Sequence, residues 1–400
     1  MFQICRVFRL SVTIISSFLI IAGAAPQKYG DSKYWKTAQL NAANVYAADV
    51  GVPICIGKTS MGDVIAGAAR SDGQDIVITN AGGTLISREL TSFSKTDSTF
   101  QLWYKDPATS ATTGGTVVYI QWGGSTVNVA DDATTWADCY GGSIDHALVI
   151  HGENTAANLT DASGNYTAAD SNMAYASTGK ILKAPEFNGG NTSINWGDIT
   201  QVNAAQKATV MSWIKQDTID RVDYIFFKNK DSNNRFGIFT STNGYLYIEY
   251  TNDIKSYWDY SANISAGTFY LFTNVYDGSQ TGNAAREVTY INKTVISKTY
   301  AGTIPATLSN PSGVNFLLGN RAGVANSFDG IIDEFRIVAG ALTANQISCQ
   351  YDIQNGFATN ATLTMGTTRS FNTDNREVYF KNPYKKDDYK KAAYFKRRYF

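Results

Sequence analysis

Charge, cysteine and histidine are all sparse in this chain of 400 residues, and each scarcity removes a class of chemistry. Charged side chains make up 17% of the sequence, and 34 Lys and Arg balance 34 Asp and Glu. A zero net charge argues against a polyanion as partner of the whole surface. The four cysteines, Cys5, Cys55, Cys139 and Cys349, show no C-x-x-C spacing, which makes a structural zinc site improbable. The two histidines, His146 and His151, lie five residues apart on a predicted strand. That odd offset turns them to opposite faces, where they cannot share a metal. No G-x-S-x-G elbow accompanies them, so a Ser-His-Asp arrangement lacks its nucleophile. Glycoside hydrolysis needs two carboxylates about 5 to 10 Å apart across a cleft. The nearest acids, Asp333 and Glu334, are adjacent and alternate in direction along a strand, while Arg336 falls on the side of Glu334 and can pair with it. No catalytic residues emerge, and the chain reads as a non-enzyme.

Long apolar runs are confined to the N-terminus. Arg6 and Arg9 precede the run Leu10 to Ile21, followed by Ala22-Gly23-Ala24. This order predicts a signal peptide over residues 1–24, in a run shorter than the about 20 apolar residues of a membrane span. The expected location is therefore secreted or cell surface, where disulfides form. Cys55 and Cys139 could pair there and leave Cys349 over, or all three could be buried thiols. The balanced charge also hides an asymmetry, because residues 371–400 hold nine Lys and Arg against four Asp and Glu. Interleaved with nine aromatics, this basic tail (361–400) suits an anionic polymer or self-association, or is simply a solvated end.

What the chain has in abundance is Tyr (24), Phe (20) and Gly (34), a composition of strands and turns that predicts an all-β protein. Val50, Val52, Ile54 and Ile56 alternate with period two, predicting a strand with one buried face. Ile76 to Thr79, Thr84 to Leu90, Phe100 to Tyr104 and Thr116 to Trp122 follow, separated by Gly- and Asp-containing turns. Such spacing predicts a β-sandwich over residues 33–135. Its stretches SDGQDIVITNAGGTLISREL (71–90), FQLWYKDP (100–107) and the Gly-Gly-x-Val-Val-Tyr-Ile-x-Trp-Gly-Gly run from Gly114 resemble domain-of-unknown-function family 2341. That resemblance implies no chemistry.

A second block, residues 140–356, runs through EFNGGNTSINWG (186–197), ATVMSWIK (208–215), TFYLFTNVYDG (268–278) and VTYINKTVIS (288–297). It closes on FDGIIDEFRIVAGALTANQI (328–347), a strand, an Ala339-Gly340 turn and a Leu-Thr-x-x-Gln-Ile helix start. In this order the motifs resemble a laminin-G-like, concanavalin A-like jelly roll. The departures are Phe269-Tyr270 where Trp is commonest and Asn292-Lys293 where the family has Asn-Gly. The whole chain is thus expected to be two β-sandwiches in series, with Phe187 and Trp213 in the second core.

The resemblance also implies where ligands go. Such folds often hold calcium on rim loops through Asp, Asn and carbonyl oxygens. The corresponding candidates are Asp231 and Asn233, Asp277, and Asn326 with Asp329, all of which serve equally well as turn formers. A glycan or surface polymer would stack on exposed rings, for which Tyr245, Tyr247, Trp258 and Tyr260 are the candidates, the last two as parts of a polar loop. The expectation is a binding or adhesion protein, with a structural assembly role or a glycan-active enzyme as the alternatives.

Overall fold

The computed structural model describes residues 25–46, 48–141, 144–152, 159–171, 174–322 and 327–371. The expected signal peptide, Asn326 and the tail from residue 372 lie outside them. The fold is all-β, two sandwiches whose four main sheets stack in layers, the second lying in sequence between segments of the first. The first sandwich has an outer sheet in the order Leu363–Met365, Tyr34–Leu40, Val118–Trp122, Val77–Thr79, and an inner sheet in the order Val52–Gly57, Thr99–Asp106, Arg88–Ser94. The second is a jelly roll. Its back sheet is built around Asp329–Val338 and Lys207–Gln216, flanked by Lys183–Asn188, His146–Ile150, Tyr270–Asp277 and Glu287–Ile291. Its front sheet runs Phe316–Leu318, Asp223–Asn229, Arg235–Thr240, Tyr245–Glu249, Lys255–Asp259, Thr299–Ala301, with Ser193–Asn195 beyond the first of these. Phe187, Ile214, Phe226, Ile238, Ile248 and Phe335 fill the space between back and front sheets.

Alternation predicted one buried face for the strand from Val50, yet every residue of Val52–Gly57 is buried. Ile54 and Ile56 join the core of the first sandwich, while Pro53 O accepts from Gln350 Nε2 of the jelly roll's closing helix at 3.0 Å. The inner sheet is covered on both sides, which is how a strand loses its polar face. The same holds for Asp329–Val338, whose residues after Asp329 are all buried. The helix Ala344–Asn355 sits in this seam. A capping box starts it: Thr343 Oγ1 accepts from Gln346 N, and Gln346 Oε1 accepts from Thr343 N. Ile347 then packs against Trp213 and Met211 of the back sheet, and Ile353 joins the core of the first sandwich.

The chain then returns to where it started. Asn360 clamps the first sandwich, donating to Gly57 O and accepting from Gly57 N at 2.7 Å. A Cβ at Gly57 would lie 2.4 Å from Phe357 O, so only glycine admits this approach. Leu363–Met365 pairs antiparallel with Ala38–Leu40, and Arg369–Ser370 with Tyr34–Trp35. The sequence boundary that opens a free tail at residue 361 is corrected here: residues 363–370 are an edge of the first sandwich. Phe357 and Leu363, 5% and 8% exposed, are part of its core, each contributing about 1.5–3 kcal/mol on burial.

Of the two readings of the cysteines, buried thiols hold. Cys139 belongs to the cluster over the back sheet and Cys55 to the core of the first sandwich, so their disulfide does not form. Burial pushes the Cys139 and Cys349 thiols up to about 12, which keeps both protonated. The unusual Asn292-Lys293 turn also has a purpose: Asn292 takes a left-handed φ of 58°, and Lys293 Nζ reaches Asp352 Oδ1 at 2.9 Å and Tyr46 Oη at 3.2 Å, tying the jelly roll to the first sandwich. Among the described residues no helix is long and apolar enough to cross a membrane.

Candidate functional site

Ionisable groups and rings meet both in a sealed place and in an open one. The sealed one lies between the sandwiches. His151 Nδ1 is 2.9 Å from both Glu334 oxygens and its Nε2 3.3 Å from Glu89 Oε2. Arg336 Nη2 donates to Glu334 Oε2 at 2.7 Å, as the shared strand side suggested, and Gln101 Nε2 donates to Glu334 Oε1 at 3.1 Å. The Arg336 guanidinium rests 4.4 and 4.8 Å from the Trp103 and Trp136 rings. Burial alone would lower the His151 pKa, but the fields of Glu334 and Glu89 outweigh it and hold it at about 10. Glu334 is pulled below its usual range against its own burial by His151 and Arg336. The two acids do not alternate as expected: Ile332 and Phe335 both enter the core, so a bulge leaves Asp333 and Glu334 on the same outward side. Asp333, buried, is pushed well up by desolvation and by Glu334; its Oδ2 accepts from Ile181 N at 2.8 Å while Oδ1 has no hydrogen-bond partner. His151 is 6% exposed and Glu334 and Arg336 1%, so this cluster is closed off between the layers it joins.

The histidines do not face opposite ways. Ile337 pairs with Leu148 but Val338 with His146, a bulge that takes Ala147 out of step. The bulge reverses the parity, and both rings pack on Trp136, with centroids 5.2 and 5.3 Å away. His146 stays neutral, its pKa lowered to about 3 by burial and by the Arg336 charge.

The open place is the outward face of the front sheet. Inward residues of these strands, Phe226, Ile238, Leu246 and Ile248, belong to the core, so their alternates point away from it. Register then aligns one ring per strand: Tyr224 opposite Phe239, Phe239 opposite Tyr247, Tyr247 opposite Tyr257. Successive centroids are 5.3, 5.3 and 5.5 Å apart, and Tyr245 stands edge-on to Tyr257 at 5.5 Å. Four rings thus form one row across four strands, about 14 Å long at normal strand spacing. Phe239, Tyr245, Tyr247 and Tyr257 are half-buried, leaving ring surface for a ligand.

Beside this row runs a charged one, with Gly237 opposite Glu249 and Glu249 opposite Lys255. Phe227 lies flat on Gly237, where a Cβ would come within 2.1 Å of its ring. Arg321 caps this end, 5.1 Å from the Phe227 centroid. Arg235 Nη1 meets Glu249 Oε1 at 3.3 Å, and Lys255 Nζ lies 5.9 Å from the Tyr247 centroid. Burial raises the Glu249 pKa, while Arg235, Lys255 and Arg321 draw it back. The combination offers flat apolar surface for stacking, with fixed donors along its edge for hydroxyl or acidic groups.

Of the ring candidates, Tyr245 and Tyr247 stand on this face. Trp258 and Tyr260 do not: Trp258 lies in the strand Lys255–Asp259 and packs on the core, and Tyr260 is 2% exposed with the Trp258 ring 5.8 Å away. Tyr257 and Phe239, which sequence reasoning missed, complete the row. The calcium candidates are engaged separately. Asp231 Oδ1 accepts from the backbone N–H of Asn233 and Asn234, which closes its own turn. Asp277 accepts from Ser279 and Gln280 and pairs with Lys207, and Asp329 pairs with Arg221. Among the described residues no three His, Cys, Asp or Glu side chains gather as a metal site.

Residues 188–348 match the family model of the concanavalin A-like lectin/glucanases superfamily, which supports the jelly-roll fold of the second sandwich. A comparison with curated proteins returns no match. Among solved structures, the chain is similar to domain 4 of AbnA, a GH43 extracellular arabinanase from Geobacillus stearothermophilus, solved with arabinotriose: 23% identity, TM-score 0.40, covering 53% of this chain and 98% of that one. It is also similar to the binding domain of botulinum neurotoxin serotype D, with 14% identity and a TM-score of 0.40, over 52% of this chain and about half (51%) of that one. A Trypanosoma rangeli sialidase shows 10% identity and a TM-score of 0.39, over 54% and 33%. None of these likenesses is close enough to assign a ligand to this chain.

Proposed function

We propose that the protein is an exported surface or extracellular binding protein that recognises a glycan or another surface polymer on the open face of the front sheet. One observation supports this above the others: Tyr224, Phe239, Tyr247 and Tyr257 stand in a single registered row on a sheet face whose counterpart in the same jelly roll is covered. Tyr224 is buried at one end, while the half-buried Phe239, Tyr247 and Tyr257 carry a solvation cost that a stacked ligand relieves, and a sugar's C–H face is such a ligand. The superfamily match agrees in kind. The first sandwich then serves as the base on which the jelly roll is mounted.

The test is a glycan array probed with residues 25–400, with and without calcium, alongside Tyr247→Ala and Tyr257→Ala. Binding that falls in both variants while the fold holds supports this face. Binding that survives both places the ligand elsewhere and overturns the proposal.

A further inference from the structure

The interior of the jelly roll holds a reactive set that the aromatic face does not use. Asn274 lies opposite Thr289, and Tyr276 opposite Glu287, on adjacent strands of the back sheet. Lys298 lies where the chain crosses from Thr294–Val295 in the back sheet to Thr299–Ala301 in the front sheet. Its side chain is 2% exposed, and Asn274 and Glu287 are each 1% exposed. Glu287 Oε1 accepts from Lys298 Nζ, from Asn274 Nδ2 at 3.1 Å and from Ser256 Oγ at 2.8 Å. Thr289 Oγ1 is shared as well, 2.6 Å from Lys298 Nζ and 3.0 Å from Asn274 Nδ2. An amine and a carboxamide are therefore held on the same two oxygens, with a carboxylate as one of them.

Two details set this apart from an ordinary buried ion pair. Asn274 Oδ1 is buried without a hydrogen-bond partner, an uncompensated cost for the carboxamide, while Glu287 also lies against the Tyr250 hydroxyl. Burial also pushes the Lys298 ammonium below its usual range, against the pull of Glu287, which favours the neutral amine. Tyr250 and Tyr276 belong to the surrounding core, and Glu287 is close enough to Tyr250 to raise its hydroxyl further.

We propose that Lys298 and Asn274 condense to an intramolecular isopeptide bond, with Glu287 as the proton carrier. Glu287 takes one proton from the Lys298 ammonium, leaving a neutral amine. Its lone pair attacks Asn274 Cγ, forming the N–C bond and placing the electron pair on Oδ1. As the carbonyl re-forms, the Cγ–Nδ2 bond breaks; Glu287 gives its proton to the departing nitrogen and receives one from the new amide nitrogen. Ammonia leaves, carries that last proton away as ammonium, and restores the carboxylate. Nothing is oxidised or reduced, and no co-reactant is consumed. The bond would fasten the crossover segment to the strand Tyr270–Asp277 across the strand Glu287–Ile291 that lies between them. A similar trio, Lys228, Asp198 and Asn203, lacks the enclosure: the Asp198 side chain is 31% exposed and stays hydrated and ionised.

Trypsin digestion and mass spectrometry of the purified full chain decide the matter. The expected product joins peptide 256–286 to peptide 294–321 as one branched species, lighter than the two by one ammonia and uncut at Lys298. Lys298→Arg and Glu287→Gln are each expected to abolish it. Separate, full-mass peptides from the folded wild-type chain overturn the proposal, as does ammonia loss without branching, which marks a cyclised asparagine. A branched peptide that persists in Glu287→Gln overturns the role of Glu287. Because the wild-type digest is decisive alone, a variant that fails to fold does not rescue the idea.

Discussion

Both sheets of the jelly roll set charges beside aromatic rings on their outward faces, and the two faces have opposite fates. On the back sheet, Glu334 and Arg336 meet His151, Trp103 and Trp136 under the cover of the first sandwich. On the front sheet, the half-buried Lys255 and the buried pair Arg235 and Glu249 border a row of rings that no layer covers among the described residues. The lesson concerns access. Charge beside a ring is adhesive where water is excluded and a recognition surface where a ligand can arrive, and the residue types alone do not say which.

The sealed face should break hardest. Glu334→Ala leaves His151 and Arg336 buried without their carboxylate and is expected to cost about 3–5 kcal/mol, read as a lower denaturant midpoint. A loss below about 1 kcal/mol would mean that the cluster is as wet as the open face. Its pH dependence has a definite sign. His151 is held up at about 10, so its contribution is whole below about 6.5 and is lost as pH climbs through 10. Glu334 is depressed, so its contribution is whole above its ordinary value and is lost as pH falls through the lowered one. The pair therefore stabilises most between about pH 4.5 and 6.5. Melting curves across pH should show wild type losing its advantage over Glu334→Gln toward both extremes.

Ending the chain after Asn360 comes next. It strips the edge from the outer sheet and the side chain of Leu363 from the core, an expected loss of about 2–3 kcal/mol. Amide exchange should quicken in Tyr34–Leu40 while the jelly roll keeps its protection; unchanged exchange there would return these residues to a mere tail. On the open face, Tyr247→Ala is expected to weaken ligand binding about tenfold, close to 1.4 kcal/mol, with stability changed by under about 1 kcal/mol. A stability loss as large as that of Glu334→Ala would erase the distinction between the faces. The smallest effect is a gain. Burial and Glu334 push the Asp333 carboxyl well up, a penalty at neutral pH that disappears below the ordinary carboxylate range. Asp333→Asn should raise the melting temperature by a few degrees at pH 7, and by nothing in acid.

What the sequence could reveal depended on how local each signal was. The stretch from Phe328 to Ile347 carries a strand, a turn and a capping box within twenty residues, and all are present. Tyr245 and Tyr247 share a face because period two is local. Their partners Phe239 and Tyr257 were invisible, since cross-strand register is set by tertiary pairing. Trp258 was misplaced because its polar neighbours Asp253 and Ser261 suggested a loop, whereas Lys255–Asp259 is a strand that turns it inward. A one-residue bulge at Ala147 sufficed to reverse the expected direction of His146. Leu363–Met365 has only three residues, too few for periodicity to register, and its partner lies more than 300 positions earlier.

That last pairing has a consequence for biosynthesis. A ribosome delivers Tyr34–Leu40 early and Arg369–Ser370 only after the whole jelly roll has been made, so the strand Tyr34–Leu40 waits with one flank bare throughout translation. The jelly roll is in effect an insert threaded through its host, and the host cannot finish folding first. An incomplete chain therefore carries a visible defect, an unpaired strand edge open to proteases and to other nascent chains, until its last described segment arrives and closes it.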